Sequence, residues 1–264
     1  MIRTIVVALY GVAVLATAVV SVVVDDLRHL SLVTMVAFFP PSALDWPMVP
    51  LMVLVGGLNA WLLWEALHVR RSRERGVRWL RRLIYAEVFM DLIGAWALYE
   101  LADLVDDTLA ENGTSIVSLI LGLAVNLLLS LALTEASRAY RVTLVVLALV
   151  VAVPWWVFLP PVAALAQVVL SQAWWFMILL AQRRDGRWSA TTIGLGWCAV
   201  ALSLVSWVLP FMWAQSQPME TAFVQVLQGI MALGVVRLIW SMRTAAEADR
   251  RPVAETRETT IASA

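Results

Sequence analysis

The stretch Leu51 to His68 reads LMVLVGGLNAWLLWEALH and sets one carboxyl group, Glu65, inside an apolar run. Trp61 precedes it by four positions and shares its helix face, Trp64 is its neighbour in sequence, and His68 follows one turn on. A charge at the centre of a bilayer costs about 2.5–3.5 kcal/mol on insertion scales, so such an acid faces a protein interior or a watery cavity. It is then either a structural acid paired with an arginine or a helix end, or a proton donor or polar gate in an aromatic-lined cavity. Glu87 and Asp91, also four apart, project from one face of the next span, in its cytoplasmic half. Antiparallel neighbours could gather Glu65, Glu87 and Asp91. Two close acids in low dielectric cannot both ionise cheaply, so one would keep its proton at neutral pH, the physical basis of an acid/base site. The alternative is that Arg78, Arg81 or Arg82 neutralises them near the interface.

Other polar residues follow helical spacing. Ser118, Gly122, Asn126, Ser130 and Thr134 form one stripe; Gln167 and Ser171, with Trp175 a turn later, form a second; Gln225, Gln228 and Gly229 mark a third. Such stripes knit membrane helices together or line a cavity, and Asn126, Ser171 and Gln228 are the candidates to touch a substrate. Of fourteen Trp, Trp46, Trp79, Trp188, Trp213 and Trp240 fall at expected span ends and suit an aromatic belt. Trp61, Trp64, Trp96, Trp174, Trp175 and Trp207 lie deeper. Aromatic faces stabilise cations without attacking them, so Trp61, Trp64, Trp174 and Trp175 beside an acid suit carbocation chemistry on an isoprenoid; plain packing accounts for individual Trp residues equally well. Asp106, Asp107 and Glu111 have the spacing of a metal-binding acidic cluster but fall in an expected exterior connection, and Arg184-Asp185-Gly186-Arg187 reads as a cytoplasmic turn.

These side chains need helices long enough to hold them. The chain has 264 residues, 62% of them hydrophobic and 14% charged, with a mean hydropathy of +0.84. Soluble domains are about 45–50% apolar, whereas repeated runs of about 20 apolar residues specify an all-α, polytopic membrane bundle. The net charge is zero, so nucleic acid is not an implied partner. All 19 basic residues are arginine, which excludes a lysine Schiff base, retinal included. One cysteine, Cys198, excludes an internal disulfide, and two histidines, His29 and His68, argue against a histidine-rich metal or bis-histidine haem site.

Eight spans are expected, at about Thr4 to Val24, Leu51 to His68, Leu80 to Leu104, Ser115 to Leu133, Val142 to Leu159, Val162 to Leu180, Ala190 to Trp213 and Thr221 to Trp240. Between the first two, Leu32 to Phe39 is too short to cross and is stopped by Pro40-Pro41, which suggests a re-entrant or interfacial piece. Arg-rich segments occur at the amino end, after the second, fourth and sixth spans and at the carboxyl end; acidic or neutral ones follow the odd spans. The positive-inside rule then puts both termini in the cytoplasm of a multi-pass cell-membrane protein. Cleavage of the first span as a signal peptide would leave seven; its long apolar stretch favours retention. Residues 1–243 are expected to form a single bundle and 244–264 a flexible cytoplasmic tail. The basic run HVRRSRERGVRWLRR, residues 68–82, sets topology and could also bind anionic lipid heads or a diphosphate.

Trp64-Glu65, Asp91 in FMDLIGAW, and WWFMILLAQRRDGRWS at 174–189 together resemble the small integral-membrane terpene cyclases of meroterpenoid and indole-terpenoid pathways. The resemblance loosely covers the second to seventh spans. It implies metal-independent, cofactor-free cyclisation begun when an acid protonates an olefin or epoxide of a lipophilic prenylated substrate. Glu65 matches the family's acid on the second helix. The family also uses an acid on a late helix; here the last span has none, and Glu220 only precedes it. The family has about seven spans rather than eight.

Three functions remain open from the residues. In the first, Glu65 donates the proton, Asp91 or Glu87 tunes or relays it, the deep Trp residues shield the cation, and Asn126 orients the substrate. In the second, the membrane acids mark the path of a proton-coupled transporter. In the third, they only pair helices in a non-catalytic membrane subunit.

Overall fold

The computed structural model describes residues 2–34, 48–67, 75–90, 107–133, 135–152, 161–213 and 234–248. All regular structure among them is helical: α1 (Ile2–Val24), α2 (Arg28–Thr34), α3 (Met48–Leu67), α4 (Arg75–Phe89), α5 (Asp107–Ala132), α6 (Arg138–Ala152), α7 (Pro161–Asp185), α8 (Ala190–Trp213) and α9 (Val235–Glu247). The chain divides into two compact units, one of Met1–Val69, Phe89–Thr114 and Ala201–Ile239, the other of Arg70–Val88, Ser115–Val200 and Trp240–Ala264.

In the first unit α1 is a valine-rich run that stops where the sequence turns to Asp25-Asp26. Asp25 takes a left-handed conformation, φ 58°, which a short polar side chain tolerates better than a branched apolar one. The Asp26 amide then bonds the Ser21 carbonyl at 3.1 Å, the long bond of a Schellman stop. The chain reverses into α2, whose final carbonyls are satisfied from both neighbours: Tyr10 of α1 donates to Val33 O at 2.9 Å, and Asn59 of α3 donates to Thr34 O at 2.7 Å. Val14, Ala18, Leu27, Leu30, Val49, Met52 and Val55 form the core beneath. A Cβ on Gly56 would lie 2.6 Å from Val14 Cγ1, so α1 and α3 touch through a glycine, as close-packed membrane helices do. The opposite face of α1 stays apolar and exposed, with Leu9, Val12, Val19 and Val23 each more than 60% accessible.

Ile2–Val24 and Val49–Leu67 are long and apolar enough to cross a membrane; Leu119–Ala132 and Ala190–Ser206 are shorter apolar helices. At 1.5 Å per residue, α1 reaches about 34 Å, against about 30 Å of hydrocarbon.

In the second unit α6 and α7 are tied at two levels, by Tyr140 Oη donating to Met177 O at 2.8 Å and Gln167 Nε2 donating to Val151 O at 2.9 Å. Burial raises the Tyr140 phenol above its ordinary range, partly offset by Arg184, so it remains a neutral donor at physiological pH. α7 ends at Gly186, φ 74°, whose amide bonds Gln182 O at 3.4 Å, and α8 begins at the N-cap Ser189, whose Oγ accepts from the Thr192 amide at 3.3 Å.

Several boundaries differ from the sequence expectation. α4 starts at Arg75, inside the basic run, because Val77, Leu80 and Ile84 supply a buried stripe. α5 starts at Asp107, inside the acidic connection, where carboxylates suit the positive end of a helix. α9 continues to Glu247, and Thr244, Ala245, Glu247 and Ala248, expected in a loose tail, are buried. Of the short apolar piece at 32–39, residues up to Thr34 belong to α2; the remainder lies outside the described residues.

Candidate functional site

In the first unit, helical spacing brings Trp61 and Glu65 together. Trp61 Nε1 donates to Glu65 Oε1 at 3.0 Å. An indole can only donate, so this bond orients the carboxyl group and leaves its proton to come from elsewhere. Both side chains are half-buried, and Trp64, at 36%, is at the exposed limit. Asn59, 8% exposed, lies six residues before Glu65 and is engaged with α2. His68, Asp91 and Gln228 lie outside the described residues.

In the second unit Glu87 is 7% exposed. A Cβ on Gly122 would sit 3.7 Å from its Oε1, so the acid packs on the small residue of the α5 stripe. On that stripe Asn126 is half-buried and its carbonyl accepts from Ser130 Oγ at 2.7 Å. Glu87 and Glu65 belong to different units. Ser171 is half-buried on α7. Trp174 and Trp175 meet edge to face at 6.0 Å, and Trp175 lies 4.7 Å from Trp240. Trp174 and Trp240 are each 2% exposed, and the indole nitrogens of both are buried without a hydrogen-bond acceptor among the described residues. Trp240 sits against Gly196, where a Cβ would come within 2.7 Å of its Nε1. Trp188 and Trp240, expected in an interfacial belt, are therefore core residues, Trp188 at 4% exposure; Trp79 remains 51% exposed.

The densest polar arrangement among the described residues is one that spacing alone did not single out. Arg187 grips Asp185 through Nε to Oδ1 at 2.5 Å and Nη2 to Oδ2 at 2.8 Å, across the Gly186 turn. The same guanidinium donates to Ala132 O at 2.6 Å and Ala248 O at 3.3 Å, closing the ends of α5 and α9. Arg81 donates to Ala245 O at 2.9 Å and Ala246 O at 3.2 Å, and Trp188 Nε1 to Thr244 O at 3.1 Å. The final carbonyls of α9, which no helix can satisfy internally, are thus met by two arginines and an indole. Glu247 accepts from Ser189 N, Ser189 Oγ and Thr192 Oγ1 at 2.7, 2.9 and 2.9 Å and pairs with Arg243 at 3.5 Å. Four basic segments of the sequence therefore meet at one end of the unit. The signals were present as Ser189 three residues before Thr192 and Arg243 four before Glu247, but their partners lie more than fifty residues apart in the chain.

This end of the unit is built to hold helices in place, with the buried charges of Arg81, Asp185, Arg187 and Glu247 each met by a partner, a carbonyl or a helix end. Among the described residues, no group of three or more His, Cys, Asp or Glu could hold a metal ion. No family model, curated protein or solved structure matches the chain.

Proposed function

We propose that the chain is a multi-pass membrane bundle of eight spans with cytoplasmic termini, and that it protonates an olefin or epoxide of a lipophilic prenylated molecule, as in the integral-membrane terpene cyclases it resembles. The exposed apolar face of α1 and the span-length helices α1 and α3 support the membrane reading. The observation that carries the chemical reading is the 3.0 Å bond from Trp61 to Glu65 inside an apolar helix, which fixes an acid next to an indole. The proposal uses Glu65, Trp61 and Trp64, all of one unit.

The proposed step is balanced as an isomerisation. The O–H bond of the Glu65 carboxyl breaks as a C–H bond forms at the less substituted olefin carbon, or as an epoxide oxygen is protonated and its C–O bond opens. An internal double bond captures the cation, and a proton leaving carbon for the Glu65 carboxylate restores the acid and ends the sequence with a ring of the same mass. Trp61 holds the acid, and the faces of Trp61 and Trp64 shield positive charge. The test is the full chain in proteoliposomes with a farnesylated phenol and its terminal epoxide, reading same-mass cyclised product by chromatography. A general acid contributes about 10²–10⁴-fold, so Glu65→Gln should lower product formation by that factor. No turnover by the wild-type chain, or turnover that Glu65→Gln leaves intact, removes the assignment.

A non-catalytic membrane subunit is the second reading. It is favoured by the buried Asp185–Arg187 and Glu247–Ser189 connections, which join helix ends.

A further inference from the structure

The end of the second unit where the helix termini meet is also segregated by charge, and the lipid site inferred from it rests on the membrane reading of the chain. The described acids Glu87, Asp185 and Glu247 of this unit are buried, the last two at this end, while Arg78, Arg82, Arg138, Arg183 and Arg184 are exposed, with Glu135 the one exposed acid among the unit's described side chains. The hydrogen bonds fix where these cations lie. Arg81 holds the last turn of α9, so Arg78 and Arg82 beside it on α4 flank that helix end. Arg187 reaches both Ala132 and Ala248, so Arg183 and Arg184 before it and Arg138 after Ala132 border the same end.

The exposed side of α4 has a particular composition. Val77, Leu80, Arg81 and Ile84 are buried, whereas Trp79 is 51% exposed, and the Arg82 guanidinium lies 5.3 Å over the Trp79 ring. An indole half out of the protein is suited to the headgroup level of a bilayer, where its ring meets glycerol and acyl carbons. A guanidinium stacked on it keeps its planar fork of donors available for two phosphate oxygens. We propose that Trp79 and Arg82, flanked by Arg78, Arg138, Arg183 and Arg184, form a docking site for anionic phospholipid headgroups of the adjoining leaflet. A soluble phosphate would leave Trp79 uncovered, and a zwitterionic headgroup brings a cation that this edge repels.

The experiment uses the full chain in detergent micelles with added phosphatidylglycerol or phosphatidylcholine, counting retained lipids by native mass spectrometry. Phosphatidylglycerol should be retained about tenfold over phosphatidylcholine at low salt, with the preference shrinking as salt rises. Arg78→Gln with Arg82→Gln should remove the preference, Arg183→Gln with Arg184→Gln should reduce it, and Trp79→Ala should weaken both lipids. These positions are exposed, and an unchanged thermal midpoint verifies that each variant folds. Equal retention of the two lipids, an undiminished preference in the Arg78/Arg82 variant, or displacement by inorganic phosphate at equal headgroup concentration would overturn the site. Release of the wild-type chain from membranes by alkaline carbonate would instead sink the membrane reading; an embedded chain without lipid preference sinks only this inference.

Discussion

Glu247 accepts both the amide and the hydroxyl hydrogen of Ser189, at 2.7 and 2.9 Å. A carboxylate near the end of the last described helix thereby caps the start of α8, where orphan amides and the helix dipole both favour negative charge. Glu247 is 3% exposed and also pairs with Arg243. Glu247→Ala should therefore cost about 1–3 kcal/mol, since it strands the buried donors of Ser189 and Thr192, and lower the thermal midpoint in detergent by about 5 °C. Glu247→Gln, which keeps an acceptor, should lose less than half of that. A midpoint unchanged in the alanine variant would mean that the connection does not form.

Arg187 makes a bidentate pair with Asp185 and closes two helix ends at once. Lysine keeps the charge but offers a single ammonium that cannot serve four acceptors in those directions. Arg187→Lys should lose about 1.5–3 kcal/mol and rank close to Arg187→Gln. Stability equal to wild type in the lysine variant would show that charge alone matters there.

Local signals are legible in the sequence, and long-range ones are not. The helix expected from Ala190 to Trp213 is the helix observed, because its start is set by an adjacent N-cap and its run is uniformly apolar. Trp61 and Glu65 meet because a helix repeats every 3.6 residues. Trp240 is expected at an interface from its place near the end of an apolar run; what buries it is Trp175 from sixty-five positions away and the bare backbone of Gly196. The polar sequence after Trp240 looks solvated until Arg81, Arg187 and Trp188 supply its partners, and none of those is near it in the chain.

Gly196 is the point at which α8 meets Leu179 of α7 and the indole of Trp240. Both neighbours are buried, Leu179 fully, so neither can step aside cheaply. Gly196→Ala should cost about 1–3 kcal/mol by overpacking, despite the better helix propensity of alanine, and Gly196→Val more. Gly194, with nothing within 4 Å of a Cβ, is the matched control, and Gly194→Ala should be neutral or mildly stabilising in the same unfolding measurement.

Cys198 is exposed on α8 and is the chain's one cysteine. It lies nine residues beyond the N-cap, about 13 Å along the helix at 1.5 Å per residue, a depth at which a spanning helix meets acyl chains. In intact proteoliposomes Cys198 should resist a charged, membrane-impermeant maleimide and react once the protein is denatured in detergent. Rapid labelling in intact vesicles would place this face of α8 in water and contradict a spanning α8.

Trp61 offers a way to separate a positioned acid from one that merely happens to lie nearby. Its indole nitrogen is the donor to Glu65 Oε1 at 3.0 Å, and the two residues sit one turn apart on α3. Trp61→Phe removes the donor while keeping an aromatic face that can still shield positive charge. A lost neutral hydrogen bond is worth about 1 kcal/mol, which is about fivefold in rate. If Trp61 only orients the acid, kcat on a prenylated probe should fall by roughly that factor with KM little changed. Trp61→Leu, which removes donor and ring together, should fall further because the cation loses its aromatic face. Equal losses in the phenylalanine and leucine variants would assign the whole effect to the hydrogen bond. No loss in either would detach Trp61 from the chemistry and leave the role of Glu65 to the Glu65→Gln comparison alone.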